Sequence, residues 1–366
     1  MPILTRVSPA ERTLLKAPLR IVSIGGGTGL STLLSGLKKH ARGTQEDAEG
    51  GIPAVDIAAV VTVTDDGGSS GRLRRDFDIL PPGDIRNCMT ALSEDEHLLS
   101  RLFQYRFDGG RGLKGHSFGN LFLTALHQIT GDFAQAVKLS SEILAIRGRI
   151  FPATSANVTL EAILRDGTAV AGESKISKSR CPIEKIRLRP EHCDPLEETL
   201  EAIRKADLIT LGPGSLYTSV IPNILVKQIP EAIANSAAMK VYFVNLMWQP
   251  GETINFSASA HVAAIHEHAG RKLIDCVVLN SAPIPQRLAR SYARADVKPV
   301  EHDLDNLRAL DVKVVTADLI SEVAFAHKKI RHDPEALARV VIDLASRSRV
   351  YQVRKKTLAL RSSPVQ

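Results

Sequence analysis

Apolar runs that end in polar, glycine-rich turns recur along the chain. The first run, at 21–24, stops at a glycine turn and is followed by leucines at helical spacing. The second, at 56–63, is continuous and rich in β-branched residues, as in a strand buried on both faces. Later runs of the same kind lie at 208–211, 241–246, 276–279 and 312–315. Strands alternating with helices predict a doubly wound, mostly parallel α/β sheet.

The middle of the chain has a different rhythm. Apolar and polar residues alternate over 158–164 and again over 183–188, and Asp166-Gly167 is typical of a hairpin turn. We therefore expect an antiparallel β insertion at about 155–190. It would belong to a single nucleotide-binding domain over 20–346, which follows an N-terminal tail at 1–19.

The last residues are basic. A helix is expected at 334–345, and the segment 347–366 carries six arginines and lysines, among them Arg349. Such a charge run at a chain end predicts a solvated, partly disordered C-terminal tail.

Composition narrows the class of protein. The chain of 366 residues has ordinary hydrophobic (44%) and charged (24%) fractions and is long enough for one large domain or two smaller ones. It shows no bilayer-length apolar stretch and no apolar signal-peptide core, so a cytoplasmic location is expected. Its four cysteines lie far apart, which fits reduced thiols and gives no zinc-site spacing. The net charge of +7 is not gathered in an aromatic-interleaved stripe, so no nucleic-acid partner is expected.

The first glycine turn, Gly25 to Gly29, is a candidate anion site. Glycines let backbone N–H groups approach an anion, and the helix that follows adds partial positive charge at its start. The dinucleotide fingerprint fails in either register, because Leu30 or Thr32 stands where the third glycine belongs. Tight packing of helix on strand would explain a single such turn equally well. Similar turns after later strands favour anion binding.

The second and third turns add chemistry. Asp65 and Asp66 could hold Mg²⁺ or bind a ribose, although a capped Asp-Gly turn is the plainer alternative. Gly214 and Ser215 offer N–H groups and a hydroxyl at another helix entry. Because ligands bind beyond the carboxyl ends of parallel strands, these turns should converge on one nucleotide-sized site.

Further polar residues lie near predicted helix starts. Asp84 is expected to be the N-cap of one helix, and Asn87, His116 and Asn120 lie close to such starts. A lone histidine in that position is more often structural. The chain has no Ser–His–Asp spacing and no H-E-x-x-H, so hydrolysis by a triad or by zinc is not indicated.

Six segments, in this order, resemble those of the gluconeogenesis-factor family, the regulatory branch of the group that contains 2-phospho-L-lactate transferase. The resemblance runs from about Ile21 to Asp333. The segments are Gly25-Gly-Gly-Thr-Gly29, Val61-Thr-Val-Thr-Asp-Asp-Gly-Gly-Ser-Ser-Gly-Arg-Leu-Arg74, Pro81-Pro-Gly-Asp-Ile-Arg-Asn87, Gly115-His-Ser-Phe-Gly-Asn-Leu121, Gly212-Pro-Gly-Ser-Leu-Tyr-Thr-Ser219 and Asn245-Leu-Met-Trp-Gln-Pro-Gly-Glu-Thr253.

The resemblance implies a Rossmann-like domain, similar to that of the transferase, that binds a nucleotide or nucleotide sugar at the carboxyl edge of its sheet. In the regulatory branch the implied ligand is UDP-N-acetylglucosamine, contacted by Tyr292 and Arg331. The implied role is support of cell shape and cell-wall synthesis during growth on gluconeogenic carbon sources, with protein partners in cell-wall synthesis, no required cofactor and no catalytic residue. A homodimer stays open. The other expected ligand-binding residues are Gly26, Gly27, Thr28, Gly29, Asp65, Asp66, Gly68, Ser69, Arg72, Asn87, His116, Asn120, Gly214 and Ser215.

Two alternatives remain. In the transferase branch, Mg²⁺ at Asp65 would assist transfer of a phospholactyl group from a guanylylated donor to a deazaflavin-type acceptor. That acceptor needs a broad apolar or aromatic pocket. A chain with one tryptophan and five tyrosines gives no indication of such a pocket. A nicotinamide-dependent dehydrogenase ranks last, because the third glycine is missing and Asp65-Asp66 lies in a second glycine loop.

Overall fold

The computed structural model describes residues 17–41, 54–93, 98–323 and 329–362, with side chains up to residue 355. Its strands are β1 (Leu19–Gly25), β2 (Val55–Val61), β3 (Arg149–Pro152), β4 (Thr159–Leu164), β5 (Ala169–Ala171), β6 (Ile183–Arg189), β7 (Leu208–Leu211), β8 (Met239–Phe243), β9 (Cys276–Asn280) and β10 (Lys313–Ala317). The helices are α1 (Gly27–Leu37), α2 (Gly68–Phe77), α3 (Gly83–Leu92), α4 (Leu98–Gln104), α5 (Phe118–Thr130), α6 (Phe133–Ile143), α7 (Glu173–Ile176), α8 (Glu197–Lys205), α9 (Ile221–Ile224), α10 (Ile229–Asn235), α11 (Ala258–Ala269), α12 (Gln286–Ala293), α13 (Leu304–Ala309) and α14 (Pro334–Ser362).

The main sheet is parallel and doubly wound. Among the described residues it has seven strands in the order β10-β9-β8-β7-β1-β2-β3. The chain starts in the middle at β1, builds outward to β3, and then returns to β7 on the other side of β1. Ile24 of β1 lies opposite Val60 of β2 and Leu211 of β7. The predicted fold class is confirmed, and the strand order reverses between β1 and β7, where such sheets open a crevice for ligands.

Helix α1 shows how the core forms. Its leucines at helical spacing, Leu30, Leu33, Leu34 and Leu37, are all fully buried, and the helix packs against α3 and α14. Helix α14 approaches so closely that a Cβ on Gly36 would lie 1.9 Å from the carbonyl oxygen of Pro334. The helix that follows the first glycine turn is thereby held in one position over the sheet.

The predicted insertion is a separate antiparallel sheet in the order β5-β4-β6. Alternation along β4 buries Leu160, Ala162 and Leu164 on one side. Arg74 of α2 donates hydrogen bonds to the carbonyl oxygen of Val158 (2.7 Å) and to Thr159 Oγ1 (3.0 Å). These bonds tie the insertion to the helix that follows β2, beside the second glycine turn.

The C-terminal prediction needs correction. Helix α14 does not end near Ala345, and Arg349, which was placed in a solvated tail, is 6% exposed. Its guanidinium donates to Asp207 and to the carbonyl oxygens of Ala17 and Pro18. A buried carboxylate that needs cationic partners therefore makes this part of the basic segment structural. Residues 1–16 of the expected N-terminal tail and 363–366 of the C-terminal one lie outside the described residues.

The part of the chain that the structure describes contains no helix both long and apolar enough to cross a membrane.

Candidate functional site

The turns after β1 and β7 meet at the switch point of the sheet. A Cβ on Gly29 would lie 2.2 Å from the carbonyl oxygen of Pro213 and 2.7 Å from the Cα of Gly214. The carbonyl oxygen of Gly26 lies 3.5 Å from the ideal Cβ position of Gly214. Only glycine fits at Gly29 without moving the neighbouring backbone. The two turns thus pack directly against each other beside the start of helix α1, at the edge where sheets of this kind open a crevice for ligands.

The floor beside this crevice is acidic. Asp84 is the second residue of α3 and lies inside its first turn, whereas the N-cap is Pro82. Asp84 is partly buried, and its Oδ2 lies 2.6 Å from the ideal Cβ position of Gly26. Burial raises the pKa of Asp84 to about 7, and the nearby charge of Asp65 adds to that rise.

The insertion contributes a third carboxylate, Glu173, the first residue of α7. Its Oε2 is buried and has no hydrogen-bond partner among the described residues. Burial raises the pKa of Glu173 to about 9, and the charges of Asp84 and Asp65 contribute. Helix α7 is held in place because Asp66 Oδ1 accepts a hydrogen bond from the N–H of Ser174 (2.8 Å). We call Asp65, Asp84 and Glu173 the acidic floor.

The acidic floor fits the Mg²⁺ that the transferase resemblance implies. Within the described ranges, no three His, Cys, Asp or Glu side chains form a ready ligand set. Mg²⁺, however, commonly binds one or two carboxylates together with water and phosphate. The unpartnered oxygen of Glu173 and the raised pKa of Asp84 both indicate carboxylates short of positive charge. Asp65 and Asp84 would hold the ion, which would supply positive charge to bound phosphates.

The segment after β8 braces the third turn. Gln249 Nε2 donates to Ser215 Oγ (2.8 Å), and Gln249 Oε1 accepts from Asn245 Nδ2 (3.0 Å). Glu252 accepts from the N–H of Tyr217 (3.1 Å) and from Thr218 Oγ1 (3.0 Å). Burial raises the pKa of Glu252 to about 7, although these hydrogen bonds act to lower it. The hydroxyl of Ser215 is thereby oriented by a chain of amides.

Three residues predicted from separate segments form one buried group. His116 Nδ1 lies 2.9 Å from Ser69 Oγ, and Asn120 Nδ2 donates to the same oxygen at 3.1 Å. Burial, and then the charge of Arg72, lowers the pKa of His116, which favours the neutral ring. The histidine is therefore held by neighbouring side chains, as the plainer structural interpretation expects, while Asn120 Oδ1 keeps no partner among the described residues.

Thr28, Gly68 and Asn87 differ in how much space the protein leaves around them. Thr28 is exposed, and its carbonyl oxygen accepts from Thr32 Oγ1 (2.7 Å). Gly68 has φ +44° and open space where a Cβ would stand. Asn87 Oδ1 accepts from the neighbouring Arg86 (2.6 Å). Thr28 and Gly68 therefore leave room for a ligand, whereas Asn87 is engaged by the protein.

Tyr292 and Arg331 lie far from those turns in the sequence, but the fold brings Tyr292 next to the backbone that precedes Arg331. The hydroxyl of Tyr292 accepts a hydrogen bond from the N–H of Ile330 (3.1 Å), next to Arg331. Tyr292 packs on a small apolar cluster that includes Leu246 and Ile330. The same segment after β8 continues to Gln249, which holds Ser215. The structure thus links these two residues to the crevice through residues 246–249.

Sequence reasoning missed four residues of this region. Asp84 was expected only as a helix cap, Glu173 lies in an insertion without a motif, and neither Arg86 nor Arg106 was singled out. Arg86 lies within the segment Pro81 to Asn87, so its position was available. Glu173 had no comparable signal, because only the folded chain brings α7 to Asp66.

Comparison with known proteins identifies the family of this chain. The family model described as 2-phospho-L-lactate transferase CofD matches residues 21–320. A Bacillus subtilis (strain 168) protein named "Gluconeogenesis factor" is 46% identical over 325 residues, which cover 89% of this chain and 98% of the relative. A "Putative gluconeogenesis factor" of Nostoc sp. is 48% identical over 335 residues, covering 91% of this chain and 70% of that one.

A crystal structure of a Bacillus halodurans protein has the same fold, with a TM-score of 0.82 and 45% identity over 89% of this chain and 99% of the other. A second crystal structure from that organism, described as a member of the UPF0052 family, also has a TM-score of 0.82, at 44% identity. The chain therefore belongs to the gluconeogenesis-factor family, within the wider family of 2-phospho-L-lactate transferase CofD.

Proposed function

We propose that this member of the gluconeogenesis-factor family is a cytoplasmic regulatory protein that binds UDP-N-acetylglucosamine. It would support cell shape and cell-wall synthesis during growth on gluconeogenic carbon sources, through protein partners in cell-wall synthesis. The observation that carries the proposal is the crevice at the switch point, where Gly29 packs on Gly214. The name shared by its relatives supports the physiological part.

The crevice suits a diphosphate. Helix α1 begins at Gly27, so its first N–H groups and its positive dipole end face the anion. On the other wall, the oriented hydroxyl of Ser215 offers a further polar contact. Asp84 would repel the phosphates when ionised, but it can accept a proton near neutral pH or share a cation with Asp65. Binding therefore needs no cofactor, and Mg²⁺ would strengthen it.

The UDP and sugar groups would reach Tyr292 and Arg331. The side chain of Arg331 is exposed and makes no hydrogen bond or ion pair to another described residue. Tyr292 is half-buried and positions the backbone beside it. An unpaired guanidinium next to an anchored aromatic ring is a suitable pair for an anionic ligand that carries rings.

A second candidate is a transferase that moves a phospholactyl group from a guanylylated donor to a deazaflavin-type acceptor. The acidic floor favours it, since carboxylates that fit Mg²⁺ lie beside the crevice for the donor phosphates. The description of the matching family model also supports it. In this case the chain would be an enzyme.

Calorimetric titration of the purified full chain distinguishes the two. UDP-N-acetylglucosamine is titrated with and without Mg²⁺, with GDP as comparator, and the ligand is recovered for analysis. Saturable binding of the UDP sugar, with the ligand recovered intact, supports the regulator. Preference for GDP with Mg²⁺, together with no response to the UDP sugar, contradicts the regulator and favours the transferase.

A further inference from the structure

Three arginines converge at the start of α5. Arg106 pairs across a β-bridge with Ser117, the N-cap of that helix, and donates to the carbonyl oxygen of Gly115 (2.6 Å). Arg72 donates to the carbonyl oxygen of Lys114 (2.9 Å). The Cδ of Arg86 lies 3.0 Å from the ideal Cβ position of Gly119, inside the first turn of α5. The three cations therefore surround one helix start.

These arginines have no direct ion pair with a carboxylate in the part of the chain that the structure describes. Within the described ranges, none of Arg72, Arg86 and Arg106 forms a salt bridge, although Arg20, Arg149, Arg187 and Arg349 all do. Burial lowers the pKa of Arg86 and the charge of Arg106 lowers it further, while the nearby charges of Asp84 and Asp65 act in the opposite direction. Asp84 and Asp65 therefore offset part of the repulsion between the arginines, and an anion in direct contact with the guanidinium groups would offset more of it.

Two buried polar atoms in the same place have no partner among the described residues. They are Nε of Arg86 and Oδ1 of Asn120, on facing helices. An unpaired buried donor or acceptor is unfavourable and is rare in folded proteins. The contacts of Arg72 and Arg106 with the backbone at 114–115 can be explained as bracing of a loop. Bracing does not explain the free Nε of Arg86, or why none of the three arginines contacts a carboxylate directly among the described residues.

This cluster is separate from the glycine crevice. Asp84 and Arg86 lie two residues apart on α3, a spacing that directs side chains to different sides of a helix. Asp84 faces Gly26, whereas Arg86 faces Gly119. The acidic floor therefore lies between the crevice and the arginines. A nucleotide in the crevice would leave the arginines available to a different group.

We propose that Ser69, Arg72, Arg86, Arg106, His116 and Asn120 form a second subsite, the arginine subsite, which binds the phosphate of a phosphate monoester. Several guanidinium groups, a hydroxyl and a helix start suit the three oxygens and double charge of such a group better than a single carboxylate. The inference deepens the proposed function, because a regulator with both sites would respond to two metabolites. It does not depend on which nucleotide binds in the crevice.

Inorganic phosphate is the probe for this subsite, at constant ionic strength. It is titrated by calorimetry into the full chain, alone and saturated with UDP-N-acetylglucosamine. We expect saturable binding of one phosphate to the chain that is saturated with the UDP sugar, in which the nucleotide occupies the crevice. Arg86→Gln and the exposed-site variant Arg106→Gln should each weaken it about tenfold, the effect of losing one charge-assisted hydrogen bond. Arg75→Gln, an exposed change on α2, and the crevice variant Ser215→Ala should leave phosphate affinity unchanged.

Loss of all phosphate binding in the chain saturated with the UDP sugar would overturn the proposal, because the arginines would then hold the diphosphate of the nucleotide. Unchanged phosphate affinity in a folded Arg106→Gln variant would overturn it as well. If the UDP sugar fails to bind at all, the proposed function fails, but the comparison of Arg86→Gln and Arg106→Gln with Ser215→Ala still decides whether a separate phosphate site exists.

Discussion

The backbone of Gly29 lies directly against that of Gly214. A Cβ on Gly29 would stand 2.7 Å from the Cα of Gly214, closer than side-chain carbons approach other atoms in folded proteins. The two residues follow strands that are distant in sequence and adjacent in the sheet. Their contact sets how closely the turns after β1 and β7 approach each other, so the absence of a side chain at Gly29 is a structural requirement of this edge of the sheet.

Gly29→Ala should therefore damage both the fold and the crevice. The new methyl group would overlap the carbonyl oxygen of Pro213, 2.2 Å from its position, and the two turns would have to separate. Overpacking of this kind costs about 1–3 kcal/mol, measurable by urea denaturation, and UDP-sugar affinity should fall with it. Gly109→Ala is the control, because nothing lies within 4 Å of its ideal Cβ. Equal stability of the two variants would contradict the tight contact.

Glu173→Gln should change how stability depends on pH. The pKa of Glu173 is about 9 in the folded chain, against 4.5 ordinarily. Below pH 4.5 the group is protonated in both states. As the pH rises from 4.5 towards 9, the unfolded chain releases this proton while the folded chain keeps it, so the free energy of unfolding falls. The glutamine variant lacks this loss, and its stability relative to wild type should rise by about 4 kcal/mol between pH 5 and pH 8.

Urea denaturation at both pH values, in EDTA, measures this difference. Glu184→Gln is the matched control, an exposed glutamate on β6 of the same insertion. A pH-independent difference between Glu173→Gln and wild type would show that Glu173 ionises normally in the folded chain, and the acidic floor would lose its third member.

The architecture was predictable because it follows from the local order of apolar, glycine and polar residues. The apolar run of β1, the glycines after it and the leucines of α1 predict a strand, turn and helix without reference to the rest of the chain. Repetition of that unit predicts parallel strands whose ends share one edge. The order of the strands was not predictable in this way. That β7 lies beside β1 depends on tertiary packing, and so does the meeting of Gly29 with Gly214.

Residues that act through distant partners were predicted less well. Ser69, His116 and Asn120 were chosen for their motifs, but the motifs did not indicate that the three bond to one another. Glu173 carried no signal because its role arises from docking of the insertion. Arg349 was misassigned because a run of basic residues at a chain end is usually solvated, and composition alone does not reveal that Asp207 is buried nearby.

Arg349→Ala should destabilise the chain, which a solvated tail residue would not do. Burial alone would raise the pKa of Asp207, but hydrogen bonds from Arg20 and Arg349 hold it below its usual value. Removing one partner of a buried pair costs about 3 kcal/mol. Because the ionised carboxylate carries this contribution, it should be present at pH 7 and diminish as the pH falls below about 4. Thermal unfolding across this pH range measures it.

Arg347→Ala is the control for that experiment, on the same helix. Arg347 pairs with Asp343 at the surface, where such pairs contribute less than about 1 kcal/mol. If Arg347→Ala and Arg349→Ala had the same small effect, the buried network between α14 and Asp207 would be contradicted, and the basic segment would behave as the sequence predicted.

Tyr292 and Arg331 should differ in what their loss costs. Arg331→Ala removes an exposed guanidinium that has no side-chain partner among the described residues, so stability should stay unchanged while UDP-sugar affinity falls about tenfold or more. Tyr292→Phe keeps the ring but removes the acceptor for the N–H of Ile330, which should cost about 1 kcal/mol of stability and a smaller part of the affinity. Calorimetric titration combined with thermal unfolding separates the two effects, with the exposed Arg339→Ala on α14 as control. Arg331→Ala with wild-type affinity would remove this residue from the ligand site, and an equal loss in Arg339→Ala would reduce its role to general charge.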